Sequence, residues 1–388
     1  IDFIDAFRAL SGEHKGIRKG HAKGVCAQGE FVPSEQARTL LASPLFSGAG
    51  MPAQLRFSMA GGNPRVPDSA RSPRGLAAQF QLPDGTLHHL AMLSTPVFGA
   101  KDPDSFLGLL RAQRPGPDGK PDAGRIAAYR EAHPDTRPQA EWLASNPPPW
   151  SYATTAYHGL HTFYVQARQG DRLKVRWYLQ PQDGERGLES AEIASAPADF
   201  LPQRLEERLR QGPVRFDWIM VLGEPGDTDD DPSRPWPAGR PVFKAGTLSV
   251  QRSGGEACTP INFDPNVLSA GFSAGAAGRV GLAALDVFLG ALGHRGAGAG
   301  DVADQVAAAL EELPAIRDQV LVFEARGHLG GVEMGTQALA GGHEAGPHIE
   351  DVGVGAQGFG LALGGLGEGA HRRGVGHVAL LRIVAHQQ

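Results

Sequence analysis

The residue best suited to carry out chemistry is His21, which lies in the stretch Arg-Lys-Gly-His-Ala-Lys-Gly-Val at 18–25. Histidine can give and take a proton near neutral pH, because its ordinary pKa is about 6.5. Three more stretches follow in order: Leu-Arg-Phe-Ser at 55–58, Ser-Ala-Arg-Ser-Pro-Arg-Gly-Leu-Ala at 69–77 and Ser-Thr-Pro-Val-Phe at 94–98. A lone histidine among glycines is an ordinary loop residue, so the information lies in the fixed order of the four stretches.

The order and spacing of these stretches resemble the haem catalases and, most closely, the small catalase-related peroxidases. The resemblance covers about residues 5–269. It implies an α+β fold, a closed antiparallel β-barrel with surrounding helices. It also implies haem as the cofactor, and a peroxide and a small reductant as the partners in the reaction.

The resemblance also assigns roles to four polar residues of the motifs. His21 matches the distal acid–base residue, which moves a proton from the inner to the outer peroxide oxygen. Ser58 matches the serine that hydrogen-bonds this histidine and orients it. Arg18 and Arg56 match arginines that pair with the haem propionates, for which a guanidinium group is well suited.

Two aromatic residues and one substitution describe the pocket wall that the resemblance implies. Phe98 and Phe106 match aromatic side chains of the distal pocket, with Phe106 over the porphyrin edge, although on priors such residues are more often part of an ordinary core. Leu93-Ser94 stands where full-size catalases have Asn-Asn before Thr-Pro. An apolar residue at this position favours reduction of organic peroxides over disproportionation of hydrogen peroxide.

The proximal side of the expected site is incomplete. Catalase-type iron is bound by a tyrosinate, and the family has an Arg-x-x-x-Tyr motif a few tens of residues after the Phe-Asp-Pro segment at 263–265. Here the last tyrosine is Tyr178, so the axial tyrosine is absent from its expected place. A tail histidine such as His294 lacks any supporting context. The alternative function is therefore an inactive catalase-like barrel that binds no haem.

The composition changes abruptly after residue 269. Residues 270–388 contain 26 of the 53 glycines and no Lys, Asn, Tyr or Trp. We therefore expect two domains, a catalase-like haem-binding barrel at 1–269 and a low-complexity Gly/Ala-rich, irregular tail at 270–388. We interpret the tail as the product of a shifted reading frame, which makes it non-homologous to the family; a genuine Gly/Ala-rich extension is the alternative.

A different class of function is suggested by Gly271-Phe272-Ser273-Ala274-Gly275, which has the G-x-S-x-G pattern of a serine hydrolase. That motif requires a buried strand before the serine and a helix after it. In a segment this rich in Gly, Ala and Ser the pattern also arises by accident, so the serine hydrolase is a remote alternative.

Charge and hydropathy exclude some classes of partner. Residues 1–269 carry 30 basic and 30 acidic residues, and 270–388 carry a net charge of −5, so no basic surface for nucleic acid is expected. No apolar run reaches the ~18 residues of a membrane span. Two cysteines, Cys26 and Cys258, leave a distant disulfide open. Cytoplasmic and periplasmic locations both stay open.

The elements that must position the motifs follow from periodicity and turn residues. An amphipathic helix is expected at 1–12, and Ser34 is expected to cap a second helix. Further helices are predicted at 104–115, 124–145 and 199–211. Strands are predicted at 53–60, 74–81, 87–98, 157–168, 172–180, 214–222 and 246–252. We expect Arg74 to be structural, His88 and His89 to form a surface pair, and His161 to have no catalytic role.

Overall fold

The computed structural model describes residues 2–48 and 50–275 with their side chains, and the backbone of three further strands at 321–328, 331–338 and 380–385. The chain divides into two compact units, one spanning 2–295 and the other 296–388. All candidate site residues of the sequence analysis, except the tail histidine His294, lie in the described part of the first unit.

The first unit is built on a closed antiparallel β-barrel of eight strands. Its strands are β1 (Gly24–Pro33), β2 (Met51–Met59), β3 (Arg74–Gln81), β4 (Leu87–Leu93), β5 (Tyr157–Gln166), β6 (Arg172–Pro181), β7 (Val214–Leu222) and β8 (Val242–Ser253). The sheet order is β4-β3-β2-β1-β8-β7-β6-β5, and the pairing of Leu93 with His158 joins β4 to β5 and closes the barrel. A short strand, β9 (Phe272–Ala274), pairs with β5 and continues this sheet beyond residue 269.

Helices surround the barrel. They are α1 (Asp2–Ser11), α2 (Glu35–Leu40), α3 (Pro103–Gln113), α4 (Ala123–Ala132), α5 (Pro138–Ser145), α6 (Ser190–Ser195) and α7 (Phe200–Leu209), with short 3₁₀ turns at Pro44–Phe46, Pro134–Thr136 and Tyr152–Thr154. The Ser34 side chain accepts a hydrogen bond from the Ala37 amide and caps α2, as the sequence predicts. None of the helices within the described residues is long and apolar enough to cross a bilayer.

Strand alternation decides which side chains fill the barrel and which face outward. Phe31 packs at ring-centroid distances of 5.3 Å from Phe80 and 5.1 Å from Trp218, and all three are fully buried in the interior. Because every second residue of β2, β3 and β4 faces this core, their remaining side chains face the outer surface of the barrel wall. The candidate residues Arg56 and Ser58 lie on that outer face, as does Gly75, which pairs with Ser58.

The predicted surface pair His88–His89 is wrong. His88 lies on the inner face of β4 and is fully buried, where its Nδ1 accepts a hydrogen bond from the Ser269 amide at 3.1 Å. His89 faces outward but is covered by the segment around Phe263, whose ring centroid lies 6.0 Å from its own. Two adjacent polar residues in a strand resemble an exposed pair, whereas closure of the barrel and a covering segment bury both.

Two further secondary-structure predictions differ from the structure. The single helix expected at 124–145 is divided into α4, a 3₁₀ turn and α5, because Pro134 and Pro138 each begin a new element. The strand β1 was missed, although the second helix that follows it was expected. Gly24 and Gly29 weaken the strand signal of β1, since glycine has low strand preference.

The second unit contains a three-stranded sheet with the order β11-β10-β12. Its strands are β10 (Leu321–His328), β11 (Gly331–Ala338) and β12 (Leu380–Ala385). β11 is antiparallel to β10, and β12 is parallel to it. The Gly/Ala-rich composition indicated an irregular tail and did not predict these strands.

Candidate functional site: a cationic cavity on the outer face of the barrel

The loop that carries His21 is fixed by contacts on both sides of the histidine. The Ala22 amide donates to the Gly61 carbonyl at 3.0 Å. The Lys23 ammonium forms ion pairs with Asp68 at 2.7 Å and with Asp199 at 2.6 Å. His21 itself has a φ of 51°, the one positive φ of a non-glycine residue among residues 2–48 and 50–275. Such a backbone costs free energy and is found mostly where the surrounding structure enforces it, often at functional sites.

His21 and Ser58 form the central pair of the site. The His21 Nδ1 and the Ser58 Oγ are 2.9 Å apart, a normal hydrogen-bond distance. Gly75 makes this pair possible, because a Cβ at residue 75 would lie 2.6 Å from the Ser58 Oγ and 2.8 Å from the His21 Nδ1. The role of Gly75 was missed by the sequence analysis, although the glycine lies within a quoted motif.

The environment of His21 keeps its imidazole neutral. Burial, and after it the positive charges of Arg56 and Arg18, lower the pKa of His21 from 6.5 to about 4. Burial and nearby like charges both disfavour the protonated form of histidine. His21 is therefore a base with a free lone pair at any pH well above 4.

Arg18 and Arg56 are two cations without an anionic partner. The Arg18 Nη2 donates to the carbonyls of Thr259 and Ile261, each at 2.7 Å, and the Arg56 Nη2 makes one long bond of 3.5 Å to the Ala22 carbonyl. Within the described residues, no carboxylate lies at ion-pair distance from either. Burial lowers the pKa of Arg56 to about 10. Two partly buried guanidinium groups side by side favour an anionic ligand.

These residues line one cavity of about 620 Å³. Arg18, His21, Arg56, Ser58, Phe98 and Phe106 all contribute to its wall, so the structure brings all six predicted site residues together. Phe98 and Phe106 contact each other with ring centroids 5.0 Å apart, and Phe106 also packs on Phe7 of α1. No Asp or Glu lies on the described wall. The cavity is thus apolar and cationic, and its volume is ordinary for a small-molecule or cofactor site.

A disulfide holds one side of the cavity in place. Cys26 of β1 and Cys258 are joined, which decides the question that the sequence left open. The linked segment supplies the wall residues Thr259 to Phe263 and the carbonyls that hold Arg18. Because 232 residues separate the two cysteines, no local sequence pattern could signal the bond.

None of the tyrosines lies on the cavity wall, and all five belong to the described residues. Tyr152 and Tyr157 are buried in the core, where burial raises the pKa of both phenols far above the usual value of 10. Tyr129 donates to the Ser105 carbonyl and Tyr164 to Asp229. No phenolate is therefore offered to a ligand in the cavity.

The G-x-S-x-G segment does not form a nucleophile elbow. Ser273 lies in the middle of β9, where it pairs with Tyr164 of β5 and accepts a hydrogen bond from Arg172. An elbow requires the serine at a sharp turn between a strand and a helix. The geometry therefore does not support the remote serine-hydrolase alternative.

Arg74 is structural, as expected. Its side chain is almost fully buried, and its Nη1 donates to the Ala70 carbonyl at 2.8 Å. Further bonds to the carbonyls of Ser72 and Asp68 hold the loop that precedes β3. This loop places Gly75 next to His21.

Comparison with known proteins gives the family. The sequence model of the Catalase family matches residues 1–222. The chain is 47% identical over 272 residues to a catalase-related peroxidase of Synechococcus elongatus, with 69% of this chain and 80% of the relative covered. It is 36% identical over 248 residues to a catalase-related peroxidase of Mycolicibacterium paratuberculosis, with 64% and 78% covered.

Solved structures agree on the fold. A fungal catalase matches with a TM-score of 0.62 at 22% identity, covering 68% of this chain and 56% of that chain. Catalase A from Saccharomyces cerevisiae matches with a TM-score of 0.61 at 22% identity, covering 71% and 60%. The chain spans little more than half the length of these catalases.

The barrel and the His21–Ser58 cavity therefore define a protein of the catalase class, and the chain belongs to the Catalase family. Within that family it belongs with the catalase-related peroxidases, which are oxidoreductases acting on peroxides.

Proposed function

We propose that the cavity binds haem and that the chain reduces organic peroxides with His21 as the distal acid–base residue. The observation that carries this proposal is the His21–Ser58 pair on a cavity wall that also presents Arg18 and Arg56 without anionic partners. Haem bears two carboxylates and a broad apolar face. Two unpaired guanidinium groups and an apolar wall with Phe98 suit those features.

The residues present fit only part of the group. The carboxylates and the faces of haem have matching residues in Arg18, Arg56 and Phe98. The iron does not have the usual tyrosinate, because no tyrosine lies on the wall. Bound haem would supply the redox chemistry that cleaves the peroxide O–O bond.

The chain's own contribution is the management of a proton. A base at the His21 Nε2 requires the ring proton on Nδ1, which then donates to the Ser58 Oγ at 2.9 Å. In this tautomer Nε2 accepts the proton of a hydroperoxide and returns it to the departing oxygen. The low pKa of His21 keeps Nε2 unprotonated before the peroxide arrives. Ser58 fixes the ring orientation in which this transfer occurs.

The expected preference for organic peroxides rests on Leu93. This residue lies on the cavity wall and pairs across the sheet with Gly75, directly beside the His21–Ser58 pair. Leucine offers no hydrogen bond to a second peroxide oxygen, and the neighbouring Phe98 and Phe106 extend the apolar surface. An alkyl group is therefore better accommodated here than water or hydrogen peroxide.

Turnover by the purified full chain after loading with haemin tests the proposal. Cumene hydroperoxide and hydrogen peroxide are compared with a small phenolic reductant, and free haemin at equal concentration is the reference. We expect turnover well above free haemin, with cumene hydroperoxide preferred. Rates equal to those of free haemin would contradict the function and favour the second candidate, an inactive barrel that binds no haem.

We propose further that 270–388 is a non-homologous extension produced by a shifted reading frame. The support is compositional, namely the high glycine content and the absence of Lys, Asn, Tyr and Trp. Sequencing the parent gene tests it. A single frame that runs intact through both sides of codon 269 would contradict the shift.

A further inference from the structure

The cavity wall offers few donors for haem iron in place of tyrosine. The side chains that most commonly ligate haem iron in proteins are His, Cys, Met and Tyr. On the described wall, these types are represented by His21, Met92 and His161. Both cysteines of the chain are consumed by the disulfide, so neither can act as a thiolate.

Two of these three donors are already committed. Met92 lies on the inner face of β4 and packs in the barrel core, with 4% of its surface exposed. His21 is held by Ser58 in the site where a proton-transfer base is needed. His161 is therefore the donor that remains.

A bulge in β5 presents His161 to the cavity. Along β5, Gly159 pairs with Trp177 and Phe163 pairs with Val175, so the three residues between them face a single residue of β6. Such bulges redirect side chains and are common next to active sites. The outcome is that Leu160 and His161 line the cavity.

The bulge is fixed by contacts on both of its sides. The Thr162 carbonyl accepts from the Gly275 amide at 3.0 Å, and the Thr162 Oγ1 accepts from the Arg176 Nε at 3.3 Å. At the other end, the Trp177 ring packs so closely on Gly159 that a Cβ there would lie 2.3 Å from the Trp177 Nε1. His161 is consequently placed by buried neighbours.

The imidazole of His161 is in the form that binds metals. Within residues 2–48 and 50–275, neither of its ring nitrogens takes part in a hydrogen bond, and the ring is half-buried. Burial, and after it the charge of Arg176, lower the pKa of His161 to about 4. A neutral imidazole with a free lone pair is a common haem ligand.

We propose that His161 supplies the axial ligand to haem iron in this cavity, in the place of the absent tyrosinate. The inference rests on the proposed function, since it requires that the cavity binds haem. It assigns a ligand role to a histidine for which the sequence analysis expected no catalytic role.

Resonance Raman spectroscopy of the haemin-loaded, reduced full chain tests the inference through the iron–histidine stretching band. The variants are His161→Gly and, as the matched control, His158→Gly. His158 is on the same strand, and burial lowers its pKa to about 4 as well, but it lines a separate cavity of about 240 Å³. His21→Ala is included because His21 is the competing donor.

We expect the band in the wild type, His158→Gly and His21→Ala, and its loss in His161→Gly. Added imidazole should restore an iron–imidazole band in His161→Gly, which a merely unfolded variant would not show. Persistence of the band in His161→Gly, its absence from haem-bound wild type, or its loss in His21→Ala alone would overturn the assignment. If haemin does not bind the wild type at all, the proposed function fails and this inference with it.

Discussion

The two walls of the cavity differ in how completely they are built. On the wall formed by β2, β3 and the loop before β1, every residue of the His21–Ser58 site has a partner that fixes it. The wall formed by β5 and the 258–265 segment has a disulfide and a fixed bulge, but no tyrosine that lines the cavity. The contrast matches the two proposed tasks, proton transfer on one wall and iron ligation on the other.

In the described part of the chain, the His21–Ser58 site is therefore held in place without any contribution from the segment after residue 269. The contacts of His21, Ser58 and Lys23 come from residues 18–94 and from 198–199, and none requires any residue after 269. Iron ligation by a tyrosinate, in contrast, has no candidate residue on the described wall. Substitutions on the two walls should therefore affect different observables.

The largest effect is expected from His21→Ala on the proton-transfer wall. Removal of a positioned general base lowers a rate by about 10²- to 10⁴-fold. The rate of reaction with cumene hydroperoxide, measured by stopped-flow absorbance on the haemin-loaded protein, checks this. His133→Ala is the control, because His133 stacks on Tyr129 away from the cavity. An equal, small effect of both substitutions would remove His21 from the mechanism.

The next largest effect is expected on stability, from removal of the Cys26–Cys258 disulfide at the other wall. Loss of a native disulfide costs about 2–5 kcal/mol of unfolding free energy. We expect Cys26→Ser to lower the midpoint of chemical denaturation, and a reducing agent to do the same to the wild type. The double variant Cys26→Ser/Cys258→Ser should not respond to the reductant. A wild type whose stability is unaffected by reductant would contradict a formed bond.

A smaller effect is expected on the pKa of His21. Arg56 contributes, after burial, to lowering this pKa to about 4, so Arg56→Leu should raise it. The base works when neutral, so activity falls as pH drops through the pKa. The acid limb of the rate profile should therefore move to higher pH. NMR titration of the His21 ring in the haem-free protein measures the shift directly. The exposed Arg215→Leu is the control and should leave the pKa unchanged.

The smallest effect is expected from Leu93→Asn. A single new hydrogen bond is worth about 0.5–1.5 kcal/mol, which corresponds to about a 2- to 13-fold change in relative rate. The ratio of hydrogen peroxide to cumene hydroperoxide turnover should rise by that amount. An unchanged ratio would show that the preference has another origin than Leu93.

Much of the fold and of the proton-transfer wall was predictable from sequence, for a local reason. His21, Arg56 and Ser58 lie in short motifs, and the strands that carry Arg56 and Ser58 alternate in the usual way. The role of Gly75 was not predictable from its motif. A Cβ at residue 75 would lie only 2.6 Å from the Ser58 Oγ, and this close approach arises only when two strands and a loop meet.

The rest depends on contacts between distant segments. The burial of His88 depends on closure of the barrel, and the disulfide joins residues 232 apart. The exposure of His161 to the cavity depends on a bulge whose register is set by β6. Periodicity within a segment carries no information on any of these three.

The most direct test of the account is a titration of the purified full chain with haemin, followed by absorbance, alongside the double variant Arg18→Leu/Arg56→Leu. The account predicts a saturable complex of one haem per chain with a Soret band distinct from that of free haemin. In the double variant, haem affinity should fall by about 100-fold or more, because two charge-assisted bonds of about 1.5–3 kcal/mol each are lost. A spectrum identical to free haemin at every protein concentration would contradict the central claim.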